Sequence, residues 1–378
     1  MKARELSLRQ RLALEIERSL QNRRVAEHRL DTLFWECTLR CNLACRHCGS
    51  DCTSDPAYRD MPAEDFFRVL DTQITPHVDP HKVFIILSGG EVLVRNDIER
   101  IGLELYRREY AWGLVTNGMA LSRRRFDSLL AAGLHGMTVS LDGFEPQHTH
   151  IRRNPESTRR AVEAVRMAAA EPTLAFDVVT CATPLLMPHL EEFKEFLISL
   201  GLKRWRIFTI FPAGRAANDP TLRLSDEDFV SLMEFIRRTR KEKRINLNYG
   251  CEGFLGGYEA EVRSSFYECH AGTGTASIRI DGAISGCTSI RADYNQGNIY
   301  KDDFWDVWQN RFEVFRNREW THHDQCAECG VFRYCRGGGM HLRDDKGCMT
   351  DCAYLRLYGK CDARGFVCNT KFVSLRSL

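Results

Sequence analysis

The sequence predicts an α/β fold over its longer first part and a small α+β module after it, and three observations carry that reading. Six apolar, β-rich runs alternate with longer segments of helical periodicity between residues 32 and 243. After about residue 245 the strands shorten, and cysteine and glycine become frequent. The sixteen cysteines fall in two groups, five within 37–52 and nine from 269 to 368, with only Cys181 and Cys251 between them.

The strands are expected at 32–38, 82–90, 112–118, 136–143, 175–182 and 203–211, and helices around 62–75, 96–109, 122–132, 156–170, 188–200 and 225–243. Start signals support several helices: Pro62 at a first turn, Ser122 before a run of arginines, and Ser225 with Asp228 three residues on. Six β-then-α units in series require a parallel sheet with helices outside, either an open doubly wound sheet or a partial barrel. In both, reactive residues belong at the C-terminal strand ends, where SGGE, TNG and SLDG stand. Beyond 245, residues 276–287 read as a hairpin turning at Asp281-Gly282. The expected division is an N-terminal helical extension (1–30), the βα region (31–245), the cysteine-rich module (246–355) and a tail (356–378).

An apolar fraction of 43% and a charged fraction of 28% are those of an ordinary globular protein. A net charge of +2 gives no reason to expect nucleic acid or an anionic membrane as partner. The one dense basic run, 237–244, reads as the solvent side of an amphipathic helix. The N-terminus has charges throughout, and no segment reaches the length of a membrane span, so a cytoplasmic protein is expected. Cysteines kept reduced there serve metal or catalysis rather than a disulfide framework.

Cys41, Cys45 and Cys48 form C-x3-C-x2-C directly after the first strand. Three thiolates in one loop can hold three irons of a cubane cluster and leave the fourth open, and an open position marks a site for chemistry. A structural zinc loop would need a fourth ligand, with His47 or Cys52 nearby. Cys37 reads as strand packing and Cys52 as a free thiol.

At these residues the chain resembles the radical S-adenosylmethionine (SAM) enzymes, with His47 where an aromatic-type residue is usual. The resemblance implies a partial (βα)6 TIM-like barrel and a [4Fe-4S] cluster whose open iron is chelated by SAM. Reductive cleavage then gives a 5′-deoxyadenosyl radical that abstracts hydrogen from substrate. It also implies SAM contacts at Gly89, Gly90 and Glu91, with Val92 replacing a usual proline, and at Asn117, Ser140, Asp142 and Arg152. An electron donor such as flavodoxin or ferredoxin is implied with them.

In the second group, Cys269 and Cys287 bracket the hairpin, Cys326, Cys329 and Cys335 form C-x2-C-x5-C, and Cys348 and Cys352 form C-x3-C. Structural zinc is the alternative reading of such spacings. The arrangement is similar to the SPASM domain, a small cysteine-rich α+β iron–sulfur domain that implies one or two auxiliary clusters. It departs from that pattern at Gly339, where a cysteine is expected. Either Cys348 or Cys352 reaches back to complete the cluster of Cys269 and Cys287, or one stable cluster forms on Cys326, Cys329, Cys335 and a later cysteine.

Most enzymes resembling both modules modify a peptide or small protein, which makes that the expected substrate. Radical chemistry on a tetrapyrrole or cofactor precursor is the alternative, since haem-modifying enzymes share a similar first strand. A non-enzymatic redox protein is a third. Tyr249 and Glu252 are candidate bases that the sequence does not separate.

Overall fold

The computed structural model describes residues 6–359, so residues 360–378 of the expected tail, with Cys361 and Cys368, lie outside the described residues. Its framework is one sheet. Strands β1 (Thr32–Thr38), β2 (Phe84–Gly89), β3 (Ala111–Thr116), β4 (Leu134–Ser140), β5 (Ala175–Ala182) and β6 (Arg204–Thr209) stand side by side, each parallel to the next. All six match the expected runs to within a few residues. Helix α1 (Leu8–Glu27) precedes them, and α2 (Ala63–Val69), α3 (Ile98–Arg107) and α4 (Arg123–Ala131) cross back between the first strands. Helices α5 (Glu145–Arg152), α6 (Ser157–Ala169), α7 (Leu190–Ser199) and α8 (Asp226–Glu242) complete the series.

The caps read from the sequence are made. Ser122 Oγ accepts from Arg125 N at 3.2 Å, and Ser225 Oγ accepts from Asp228 N at 3.0 Å. Helix α5 was not expected; Pro146 in its first turn was the available signal. The basic run closes α8, where Arg237, Arg238 and Arg244 pair with Glu234, Glu191 and Glu195.

Strand alternation sorts the side chains by face. Leu33, Trp35, Ile85, Leu87 and Trp112 are fully buried, as are Trp205 and Ile207. The opposite residues, among them Phe34, Val115, Val179 and Arg206, line one inner cavity. Residues from β1 through β6 reach the same cavity, which is the geometry of a sheet curled into an incomplete barrel.

The sheet does not stop at residue 245. Strand β7 (Asn246–Tyr249) adds parallel to β6. At the other edge, β8 (Thr275–Ile278) pairs in parallel with β1, and β9 (Ala283–Ser285) and β10 (Gly297–Asn298) continue antiparallel. The expected hairpin is β8–β9, and it is welded to the barrel rather than standing apart. Glu36 of β1, 1% exposed, fixes this join by accepting from Arg291 Nη1 at 2.8 Å and from Ile280 N at 3.4 Å.

Helix α1 lies along the cysteine-rich part. Gln21 Nε2 donates to Tyr267 O at 2.9 Å, and Glu15 accepts from Tyr334 Oη at 2.6 Å. No helix among the described residues is long and apolar enough to cross a membrane.

Candidate active site and metal centres

The first cysteine loop leaves β1 and is clamped from two sides. Gly90 N donates to Thr38 O at 2.7 Å and Glu91 N to Arg40 O at 2.9 Å, which zips the end of β2 to the loop. A Cβ on Gly89 would sit 2.1 Å from Thr38 O and one on Gly90 2.2 Å from Arg40 O. Only glycine permits that approach, and Gly89 also holds φ +121°. From the far side, Arg215 donates through Nε to Cys45 O at 2.7 Å and through Nη1 to Cys52 O at 3.0 Å. Nothing in the spacing pointed to Arg215, because it clamps a backbone 170 and 163 residues away in the chain.

Cys41, Cys45 and Cys48 converge inside this loop. Burial, then the charges of Glu91, Cys45 and Cys48, push the Cys41 thiol up to about 12. Cys48 moves the other way, down to about 5, chiefly because the Cys52 thiol donates to it. Cys52, read as a free thiol, is buried against Cys48.

One cation and one side-chain amide face the sulfurs. Arg152, at the end of α5, lies with Nη1 3.8 Å from Cys45 Sγ, while its Nε donates to Asp142 Oδ2 at 2.7 Å. The other oxygen of Asp142 accepts from Cys181 N at 2.9 Å. Burial opposes the charge on Asp142, but Arg152 and then His47 outweigh it and hold the carboxyl well below its ordinary range. Asn117 Nδ2 donates to Asn42 Oδ1 at 2.8 Å and lies 4.0 Å from Cys41 Sγ. Ser140 ends β4, half-buried. His47 is buried, pushed down to about 3 by burial first, and stands with Asp142 and Cys181 within 4.8 Å.

Two of the expected SAM contacts are engaged within the fold. Glu91 accepts from Thr116 Oγ1 at 2.7 Å, Asn117 N at 2.7 Å and Leu93 N at 3.1 Å. It is 1% exposed and shapes the turn after β2. Asp142, fully buried, likewise spends its oxygens on Arg152 and the backbone. Each carboxylate thus holds neighbouring groups of the site in place.

A cavity of about 500 Å³ is lined by Ser88, Gly89 and Gly90 at the end of β2 and also by Cys251, Cys269 and Cys287. Tyr249 and Glu252, the candidate bases, do not line it. Burial pushes Tyr249 well above the usual phenol range and Glu252 up to about 7, and Glu252 is turned onto Thr209 N and Oγ1, both at 2.6 Å.

The later cysteines form two sets. Cys335 is raised by burial first, then by the sulfurs of Cys352, Cys326 and Cys329 around it. Cys326 and Cys329 act likewise on Cys352, which groups Cys352 with C-x2-C-x5-C. Cys251, which the sequence reading left without a role, opens on the same cavity as Cys269 and Cys287. The first loop thus fits a cluster with one open iron, and Cys326, Cys329, Cys335 and Cys352 fit a closed four-thiolate one.

Comparison with known proteins agrees in both regions. The radical SAM superfamily profile matches residues 35–209, and an iron-sulfur cluster-binding domain profile, SPASM, matches 269–330. The chain is 27% identical over 324 residues to an AdoMet-dependent heme synthase of Methanosarcina barkeri, covering 80% of this chain and 88% of that one. It is 28% identical over 320 residues to the mycofactocin maturase MftC of Mycolicibacterium smegmatis, covering 82% and 77%. Streptococcus suis SuiB, solved bound to the precursor peptide SuiA, superposes with a TM-score of 0.64 at 17% identity, covering 85% of this chain and 75% of that one.

Proposed function

The chain belongs to the radical SAM superfamily, as an enzyme with a SPASM domain, and from that premise we propose that it abstracts hydrogen from a side chain of a peptide or small protein. The observation that carries the proposal is the size and placement of the cavity, about 500 Å³ between the SAM loop and the cysteines of the second region. Pockets of ~300–1,000 Å³ suit a single drug-sized molecule. SAM is itself of that size, so with SAM in place the remaining room suits one inserted side chain better than an entire tetrapyrrole.

Bound at Cys41, Cys45 and Cys48, a reduced cluster with SAM supplies a 5′-deoxyadenosyl radical. The chain's own residues hold the reactants. Gly89, Gly90, Asn117, Ser140 and Arg152 are the proposed SAM contacts, with Glu91 and Asp142 fixing Asn117 and Arg152 beneath them. The guanidinium of Arg152 suits a carboxylate, and its bond to Asp142 presets its plane. Phe34, Val115, Val179 and Phe208 give the cavity apolar walls that keep water from the abstraction step. The proposed electron donor is a small redox protein such as flavodoxin or ferredoxin, in the reducing cytoplasm that so many free thiols require.

A tetrapyrrole substrate is the second reading, favoured by the likeness to heme synthases. One experiment separates the two. Anaerobically reconstituted enzyme, given SAM and dithionite, is assayed for 5′-deoxyadenosine with either an iron porphyrin or a pool of cysteine- and tyrosine-containing peptides. The proposal expects deoxyadenosine accompanied by a hydrogen-loss mass shift in a peptide, and no porphyrin absorbance on the protein. Tight porphyrin binding with stimulated cleavage would transfer the assignment to the second reading.

A further inference from the structure

Three cysteines outside the first loop line the same cavity, and a histidine lines it with them. They are Cys251, Cys269 and Cys287, with His341. Residue 339, where the SPASM pattern has a cysteine, is glycine with ordinary extended backbone, φ −72° and ψ 137°. A Cβ there would lie 2.6 Å from His341 Cε1 and 2.8 Å from His341 Nδ1, and 3.6 Å from Cys251 O. The imidazole edge therefore occupies the very volume from which a thiol at 339 would project, next to the Cys251 backbone. The ring is held in place edge-on to Phe211 with centroids 5.0 Å apart. Among the described residues neither ring nitrogen has a hydrogen-bond partner, and Cys251, Cys269 and Cys287 carry free thiols.

We propose that Cys251, Cys269, Cys287 and the imidazole of His341 together hold an auxiliary iron–sulfur cluster on the cavity wall, histidine replacing the missing fourth thiolate. Neutral imidazole is an established ligand of iron in such clusters, and exchanging thiolate for it removes one negative charge and raises the reduction potential. The inference concerns this chain's own ligands and holds for either substrate class. It also gives Gly339 a reason: a side chain there would displace the ring.

The test uses the full chain, reconstituted anaerobically with iron and sulfide, reduced with dithionite and kept free of SAM. Cys41, Cys45 and Cys48 are first changed to Ala, so that only auxiliary clusters remain. Protein grown with ¹⁵N-histidine is then compared with unlabelled protein by pulsed EPR. The expected result is one strongly coupled histidine nitrogen, lost in His341→Ala. Cys251→Ser is expected to lower iron by up to about four atoms per chain, the content of one cubane. Adding Gly339→Cys to His341→Ala is expected to restore iron without restoring the nitrogen coupling.

Absence of a coupled histidine nitrogen in the chain that keeps both His341 and Cys251 would overturn the assignment, and that measurement does not depend on any variant at the auxiliary site folding. Coupling that persists in His341→Ala, or full iron in Cys251→Ser, would overturn it as well. None of these readouts involves SAM cleavage or a substrate, so failure here leaves the proposed function standing, and the reverse holds.

Discussion

The two cysteine regions of this molecule solve the same problem by different means. In the first, Cys41, Cys45 and Cys48 come from one loop of eight residues, and the fold only has to brace that loop, through Gly90, Glu91 and Arg215. In the second, ligand candidates are drawn from residues as distant as 251 and 352, and the fold itself assembles the sites. A loop that carries all its ligands is readable as a spacing. A site built by tertiary structure is not, because its geometry exists only after the chain has folded.

The largest expected effect tests the local site. Changing Cys41, Cys45 and Cys48 together to Ala should abolish 5′-deoxyadenosine formation while iron on the second region stays bound. Loss of all iron would mean that the two regions fold as one metal-dependent unit, and the contrast drawn here would fail.

Next is the charge pair that braces the local site from beneath. Asp142 is fully buried and Arg152 nearly so, joined at 2.7 Å. Arg152→Met leaves a buried carboxylate without its partner, which costs about 3–5 kcal/mol, whereas removing both charges costs less. Thermal midpoints should therefore fall more for Arg152→Met than for Arg152→Met with Asp142→Asn. Equal losses would show that Arg152 acts through packing alone.

How much of this was legible follows from the same contrast. The six strands, the caps at Ser122 and Ser225 and the C-terminal strand-end motifs were visible because they depend on periodicity and on neighbours a few residues away. Helix α5 escaped notice although it carries Arg152, since its eight residues are mixed in polarity and only Pro146 announced it. Glu91 and Asp142 were singled out by their motifs, but the backbone amides and the guanidinium they accept from were not visible in composition. Cys251 and His341 could not have been paired with Cys269 and Cys287 before the β8–β9 hairpin was seen to dock on β1. That docking also carried the sheet across the boundary expected at 245.

Glu36 is the hinge of the comparison, for it ties the strand that feeds the first loop to the hairpin that carries Cys287. Glu36→Gln should weaken the bond to Arg291 and cost about 1–3 kcal/mol, the range for a charged buried hydrogen bond. The second region depends on docking and the first does not, so auxiliary iron should be lost to a chelator sooner than in the unsubstituted enzyme, with radical-cluster iron little changed. Parallel loss from both would place Glu36 in the global stability of the barrel instead.

The smallest expected effect concerns α1, which rests on the assembled region alone. Ser7 Oγ accepts from Gln10 N at 3.2 Å, and Gln10 Oε1 accepts from Ser7 N at 3.0 Å, a reciprocal capping box. Gln10 Nε2 also donates to Gly257 O at 2.9 Å, so the cap is at once the helix start and its anchor. Ser7→Ala should cost about 1 kcal/mol, the usual worth of an N-cap, read as earlier proteolysis of the N-terminus. Gln10→Ala removes the anchor as well and should cost more. Because α1 touches the cysteine-rich part and not the SAM loop, deoxyadenosine formation should be unchanged in both variants, and a parallel fall in cleavage would show that the assembled region governs the local one.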